Sequence, residues 1–293
     1  MFGFYRLAAA TPRLHLADVQ ANTREIIKLY QNAAAQQAAV VVFPELCLTG
    51  YSLGDLVFQQ RLLQSARRAA LEIAAATVNS ATAAIVGLPI ELNGQLFNMA
   101  LIIQAGAIVG AVPKQQLANY REFHEKRFFA SGKNLADTLL ELGDQVVPVG
   151  NRLVFTSGSD FKFGVEICED LWSVYPPSND LALSGATAVF NLACCTEQAN
   201  KANFRRELVK MQSAKLNTAY VFSGAGVYES TTDNVYAGHS LIADQGNIAA
   251  EGERFERNSR LIWADVDITA YTSLRRTDSS FWDNEPINRP FFP

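Results

Sequence analysis

Histidine is scarce in this chain. Only His15, His124 and His239 occur among 293 residues, far apart and with no second histidine or cysteine three or four positions away, so no metal is assigned. Cysteine is nearly as rare: Cys47, Cys168, Cys194 and Cys195 show no C-x-x-C spacing, and an adjacent pair is a poor start for a disulfide framework, so reduced thiols are expected. Charge is sparse as well. Asp, Glu, Lys and Arg make up 18% of the chain, the net charge is −4, and no basic run with interleaved aromatics occurs, which argues against nucleic acid and anionic membrane as partners. No apolar stretch approaches transmembrane length, and the opening Met1-Phe2-Gly3-Phe4-Tyr5-Arg6 has neither the basic nor the apolar region of a signal peptide. A cytoplasmic location and no membrane partner are expected.

What is present is apolar: 49% of the residues are hydrophobic, and a chain of this length can bury a sizeable core. Residues 38–43 form a strand-length apolar run, and Pro44 keeps Phe43 extended, so Glu45 falls just past the strand's carboxyl end. A helix is predicted before it, with Asn22 as cap and Glu25 three residues on, and Ile26, Tyr30 and Ala33 on one face. A second helix is predicted over 57–77 and a strand near 83–88. Leu92-Asn93-Gly94-Gln95 is a hairpin signal, followed by strand 97–103, a turn at Gly106 and a strand over 107–112 that leads to Lys114.

The second half repeats this pattern. Ala100-Leu101-Ile102, Gly106 and Ile108 recur as Ser240-Leu241-Ile242, Gly246 and Ile248, Phe43 has a counterpart in Phe190, and a helix over 200–217 precedes a strand at 219–223. Two halves of this kind predict an α/β protein with two sheets packed face to face and helices outside. Helical crossovers keep strands parallel and two hairpins reverse direction twice, so Glu45 and Lys114 should leave the sheet at one edge, where α/β sheets bind ligands.

Cys168 ends the alternating strand Phe161, Phe163, Val165, Ile167 and begins a turn, the logic of a nucleophile elbow. Singly, Cys168 reads as a small buried residue, Lys114 as a loop lysine and Glu45 as a turn residue. Jointly they offer a thiol to attack a carbonyl carbon, a carboxylate to move its proton and an ammonium to stabilise an oxyanion. A thiol needs such a neighbour to react near neutral pH. A papain-style pairing of Cys168 with His124 is the rival arrangement.

The motifs Phe43-Pro44-Glu45-Leu46-Cys47-Leu48-Thr49-Gly50-Tyr51, Pro113-Lys114 and Gly164-Val165-Glu166-Ile167-Cys168-Glu169-Asp170 resemble the nitrilase superfamily of carbon-nitrogen hydrolases with its Glu-Lys-Cys triad. Asn119 to Arg127, Ser230-Thr231-Thr232-Asp233 and Gly238-His239-Ser240-Leu241-Ile242 are similar to the amino-terminal glutaminase domain of glutamine-dependent NAD synthetases. The resemblance covers nearly all of residues 1–275. It implies a four-layer αββα sandwich with two pseudo-repeated halves, and catalysis by Glu45, Lys114 and Cys168 on L-glutamine through a glutamyl thioester. It further implies substrate contacts from Tyr120, Phe123, Glu169, Cys195 and Lys201, with Glu125 a second carboxylate near the cysteine.

The same resemblance implies no cofactor for this chain, with ATP, magnesium and deamido-NAD belonging to a synthetase (ATP-pyrophosphatase) domain as partner, and a homo-oligomer. Two departures stand out. Ala193-Cys194-Cys195 replaces the usual Ser-x-Ser, putting a weak thiol where a hydroxyl donor is common. No Ser-Gly-Gly-x-Asp-Ser loop of the pyrophosphatase domain occurs, and residues 276–293, with Pro286, Pro290 and Pro293, read as an irregular tail or linker to an absent domain. A free-standing amidase for another small amide and a non-catalytic docking subunit are the alternative readings.

Overall fold

The computed structural model describes residues 3–284 except residue 159. The first half contributes β1 (Phe4–Thr11), α1 (Val19–Ala35), β2 (Val40–Val42), α2 (Gln60–Ala76), β3 (Ala83–Leu92), β4 (Gln95–Gln104) and β5 (Ala107–Pro113). A hairpin, β6 (Thr138–Leu142) and β7 (Gln145–Val149), leads to the second half: β8 (Val154–Ser157), β9 (Phe161–Ile167), α3 (Glu169–Trp172), α4 (Pro177–Leu183), β10 (Ala188–Ala193), α5 (Lys201–Leu216), β11 (Ala219–Gly224), β12 (Leu241–Asp244) and β13 (Asn247–Glu251). The chain then returns through β14 (Arg260–Asp267), α6 (Ile268–Thr277) and α7 (Ser279–Trp282).

Two sheets result, ordered β14-β1-β2-β3-β4-β5-β7-β6 and β13-β12-β11-β10-β9-β8. Side chains alternate along each strand, so one strand serves two interfaces. Ala8, Ala10, Val41, Val86 and Leu101 face α1 and α2, while Leu7, Ala9, Val40, Val42, Ile85 and Ile102 meet Phe161, Phe163, Val165 and Phe190 of the opposite sheet. With α4 and α5 on the outer face of the second sheet, the layers run αββα.

The internal repeat is visible in the pairing. β1, β2 and β3 are parallel and continue into antiparallel β4 and β5, and β9, β10 and β11 continue likewise into β12 and β13. Both terminal hairpins turn on two left-handed residues, Ala105-Gly106 and Gln245-Gly246. Each is bulged at the same place, between Ile102 and Ile103 and between Ile242 and Ala243.

Three details differ from the sequence reading. The cap of α1 is Asp18, whose carboxylate accepts from Ala21 N at 3.0 Å, because Asn22 lies one turn inside the helix. Asn22 is buried there, bonding His15 at both N and O and Leu48 O, which ties α1 to the loop after Glu45. β14, late in the chain, crosses back to pair antiparallel with β1 and extends the first sheet. Beyond residue 275, α6 continues to Thr277 and α7 follows, with Phe281 buried near Ala182 and Leu216; Pro286, Pro290 and Pro293 lie outside the described residues. Among the described residues, no helix is long and apolar enough to cross a membrane.

Candidate active site

Glu45 sits in the loop that follows β2, and Gly87 lets that loop cross β3 closely. A Cβ on Gly87 would lie 2.4 Å from Leu46 N and 3.0 Å from Pro44 O, so only glycine fits there. The loop delivers a buried carboxylate with every approach defined. Glu45 Oε1 accepts from Lys114 Nζ at 2.6 Å and Asn98 Nδ2 at 2.7 Å, and Oε2 accepts from the Cys194 amide at 3.0 Å. Burial pushes its pKa up to about 7 despite the opposing charge of Lys114, with Glu125 adding to the rise.

Lys114 follows the last residue of β5. Its N–H donates to Asn98 O and its carbonyl accepts from Gly132 N, both at 2.8 Å, so its backbone is held on two sides. Its ammonium spans two carboxylates, Glu45 and Glu125, the latter at 2.7 Å. Burial alone would lower the lysine pKa, but Glu125 and Glu45 outweigh it and hold Lys114 well above the usual range. Glu125 is fixed in turn by Tyr51 Oη at 2.7 Å and the Ala118 amide at 3.1 Å.

Cys168 occupies the strand-to-helix turn between β9 and α3 with φ 46° and ψ −97°, a strained conformation for a residue with a side chain. Two acceptors hold its N–H there, Leu192 O at 2.9 Å and Asn191 Oδ1 at 3.0 Å. Its sulfur lies 3.4 Å from Cys195 Sγ, and both thiols are buried. The hydrogen bond to Cys195, then burial, keep Cys168 protonated well above the usual thiol range, with Glu45 adding to the effect and Lys114 opposing it. Cys195 is drawn down to about 7 by the same hydrogen bond and by the charges of Arg205, Lys201 and Lys114, against its burial. Glu45 and Lys114 thus both act on the Cys168 thiol, in opposite directions.

The remaining candidates gather at one rim. Tyr120 is exposed, donates its hydroxyl to Glu169 Oε2 at 2.9 Å and meets buried Phe123 edge-on at 5.7 Å. Lys201, the first residue of α5, bonds Thr196 Oγ1 at 3.0 Å and lies over the rings of Phe123 and Trp172. Burial raises the Glu169 carboxyl, with the Tyr120 hydroxyl opposing. Glu125 lies deeper than this rim, as the partner of Lys114. His124 is exposed although both of its neighbours are buried, which disfavours it as the base for Cys168.

The sequence reading missed two residues. Asn98 is the lone polar residue in the buried stretch 97–103, and that isolation was its signal. It orients Glu45, while its Oδ1 is buried with no hydrogen-bond partner. Asp170 ties the Lys114 and Cys168 segments together: Oδ1 accepts from Gln115 N at 3.1 Å and Gln116 N at 2.7 Å, and Oδ2 accepts from Ile167 N at 2.9 Å. Nothing in its sequence position beside Cys168 pointed to Gln115 and Gln116.

A thiol at a strained turn, a buried carboxylate and an ammonium on a two-sheet αββα frame define a hydrolase of carbon-nitrogen bonds. The chain belongs to the carbon-nitrogen hydrolase family, which matches residues 6–276, and it is an enzyme acting on amides. It is 36% identical over 289 residues to glutamine-dependent NAD(+) synthetase of Mycobacterium tuberculosis (strain ATCC 25618 / H37Rv), a match covering 98% of this chain and 42% of that protein. The crystal structure of a glutamine-dependent NAD(+) synthetase from Cytophaga hutchinsonii superposes with TM-score 0.80 at 27% identity, over 89% of this chain and 43% of that one. An amidase from Nesterenkonia sp. shares the fold, with TM-score 0.70 at 19% identity over 94% of this chain and 97% of that one. The chain thus spans less than half the length of the synthetases it matches.

Proposed function

We propose that the chain hydrolyses the side-chain amide of L-glutamine and supplies ammonia for NAD synthesis by a synthetase domain outside this chain. The observation that carries the reading is Lys114 held between Glu45 and Glu125, its charge reaching the Cys168 thiol. Glu45 Oε1 already accepts two hydrogen bonds and Oε2 one, so Oε2 has the freer lone pair and takes the proton from Cys168. The sulfur attacks the amide carbon. Of the three N–H donors on Lys114, two are committed to carboxylates and the third serves the developing oxyanion. Glu45 then protonates the leaving ammonia, and a glutamyl thioester remains on Cys168. Water activated by Glu45 releases glutamate.

The rim supports an amino-acid head group by charge: Glu169 faces the ammonium, Lys201 the carboxylate, and Tyr120 and Phe123 wall the methylene chain, with Cys195 beside the reacting carbon. No cofactor takes part in this half-reaction. ATP, magnesium and deamido-NAD belong to the ATP-pyrophosphatase domain, and the working protein is a cytoplasmic homo-oligomer.

Ammonia and glutamate release from a panel of amides tests the substrate. Glutamine is expected to be turned over fastest, and preference for an amide lacking the amino-acid head would favour a free-standing amidase instead. The chain alone is expected to make no NAD from deamido-NAD, ATP and magnesium, and NAD formation would overturn the division of labour.

A further inference from the structure

Cys195 lies at the carboxyl end of β10, next to β9 in the sheet, so its sulfur meets that of Cys168 across neighbouring parallel strands at 3.4 Å. Each side chain is under a tenth exposed, Cys168 at 6% and Cys195 at 9%. A bonded pair of sulfurs is about 2.05 Å apart, so these two, already in contact, have to close by a little over 1 Å to bond. Three cations, Arg205, Lys201 and Lys114, act on Cys195. Arg205 is itself buried and held by Glu197 and by His239 Nδ1, the latter 2.8 Å from its Nη2, which fixes that charge in place. Hydrolysis uses one thiol. The second is left in contact with the first.

We propose that Cys168 and Cys195 form a reversible disulfide site, closed by small hydroperoxides, that removes the nucleophile from hydrolysis and shields it from irreversible oxidation. The choice of Cys168 as the sulfur whose loss stops turnover rests on the reading of the preceding subsection; the disulfide itself does not. One sulfur, as thiolate, attacks the peroxide: the S–O bond forms, the O–O bond breaks, and the departing oxygen takes a proton to leave as water or alcohol. The resulting sulfenic acid is attacked by the other sulfur as thiolate, the S–S bond forms, and hydroxide leaves and is protonated to water. Two thiols have given up two electrons and the peroxide has received them. A dithiol reductant reverses the step through a mixed disulfide. Without a thiol at residue 195, the sulfenic acid on Cys168 persists and goes on to the sulfinic acid, which a thiol does not reduce.

The test treats the chain with a modest excess of hydrogen peroxide, blocks free thiols, and maps peptides without reduction. The expected product is a Cys168–Cys195 cross-linked peptide, removed by dithiothreitol with return of most of the starting ammonia-releasing activity. Cys195→Ser should give sulfinic acid at Cys168 instead and recover under about a tenth of its own starting activity after dithiothreitol. Each protein is compared with itself, so a change in basal turnover on substitution does not enter. Cys195→Ala serves as the second variant, and circular dichroism confirms that both are folded. Sulfinic acid accumulating at Cys168 equally in wild type and variants would overturn the proposal, as would a cross-link to Cys194 or Cys47. A Cys168–Cys195 cross-link formed with no loss of hydrolysis would leave the disulfide site standing and sink the assignment of Cys168 as nucleophile.

Discussion

Among the described residues, two buried ionic clusters are built differently. In the first, Lys114 is shared by Glu45 and Glu125, two carboxylates on one ammonium in a fully enclosed site. In the second, Arg205 bonds Glu197 and His239, and the cluster runs out to solvent through Arg254 on Glu197 and through His239 to Glu251 and Arg206. The first has an excess of carboxylate in an enclosed setting, so burial, with Glu125 adding to it, drives Glu45 up to about 7, the range that the proposed role as a base near neutral pH requires. In the second, His239 is held below the usual histidine range by burial and by Arg205, and so stays neutral as an acceptor for the guanidinium. In the first one cation serves two carboxylates, whereas Glu197 of the second has two cations to itself.

Removing the central cation of each cluster separates them most sharply. Lys114→Met leaves two carboxylates buried without a counter-charge, a loss of about 3–5 kcal/mol for breaking a buried pair, and should lower kcat by roughly 10²–10³ through the lost oxyanion contact. Arg205→Met should show a similar shift in urea unfolding but keep far more turnover per folded molecule. Equal loss of turnover in the two variants at matched folded fraction would dissolve the distinction.

The pH profile of kcat/KM comes next. Because the Glu45 carboxyl is raised to about 7, the base is progressively protonated below that pH, and activity should fall about tenfold per pH unit on the acid side. Burial sets that value first, with Lys114 opposing and Glu125 and Cys195 adding, while Asn98 and the Cys194 amide donate hydrogen bonds to the same carboxylate. Glu45→Gln should remove both the limb and the turnover; a residual profile with the same limb would assign it to another group. Stability should respond separately. His239 has a depressed folded pKa, so its contribution is present above the ordinary histidine value and is lost as pH falls below it, which thermal melts across that range would register.

Asn98→Ala sharpens the account of the first cluster. It deletes a donor to the ionised Glu45, worth about 1.5 kcal/mol for a hydrogen bond to a charged group, and should move the acid limb up by about one pH unit. A variant that is less stable but titrates as wild type would make Asn98 purely structural. The smallest effect belongs to His124→Phe, an exposed position although it adjoins Glu125 in the chain, where stability should stay within about 0.5 kcal/mol and most turnover should remain. A loss rivalling that of Glu45→Gln would restore the papain-like pairing.

Much of the frame was legible because it depends on local patterns. The apolar run ending at Phe43-Pro44, the Asn93-Gly94 turn and the paired Gly106 and Gly246 hairpins are short-range signals, and counting strand reversals was enough to bring Glu45 and Lys114 to one edge. The cap of α1 was misread because Asp18 and Asn22 are both capping types one turn apart, and only the packing of α1 on the Leu48 loop decides which is free to cap. β14 carries no mark of its distant partner, β1, since a strand's period says which face is buried and not which neighbour it pairs with.

The sequence by itself determined the parts of the site: a thiol at the end of an alternating strand, a carboxylate after a proline-ended strand, a lysine after the second reversal, and the frame that turns them toward one edge. These follow from side-chain period, turn chemistry and strand direction, all of which act over a few residues. Only the tertiary structure decided how the parts are charged and held. Asn98 on Glu45, Asp170 between the Lys114 and Cys168 segments, and Cys195 against Cys168 each join residues 15 or more apart in the chain, and the pKa shifts of Glu45, Asp170, Cys168 and Cys195 come from burial and from hydrogen bonds and charges that arrive from other strands. Burial and through-space Coulomb forces have no sequence period, so they become readable only when the sheets are closed.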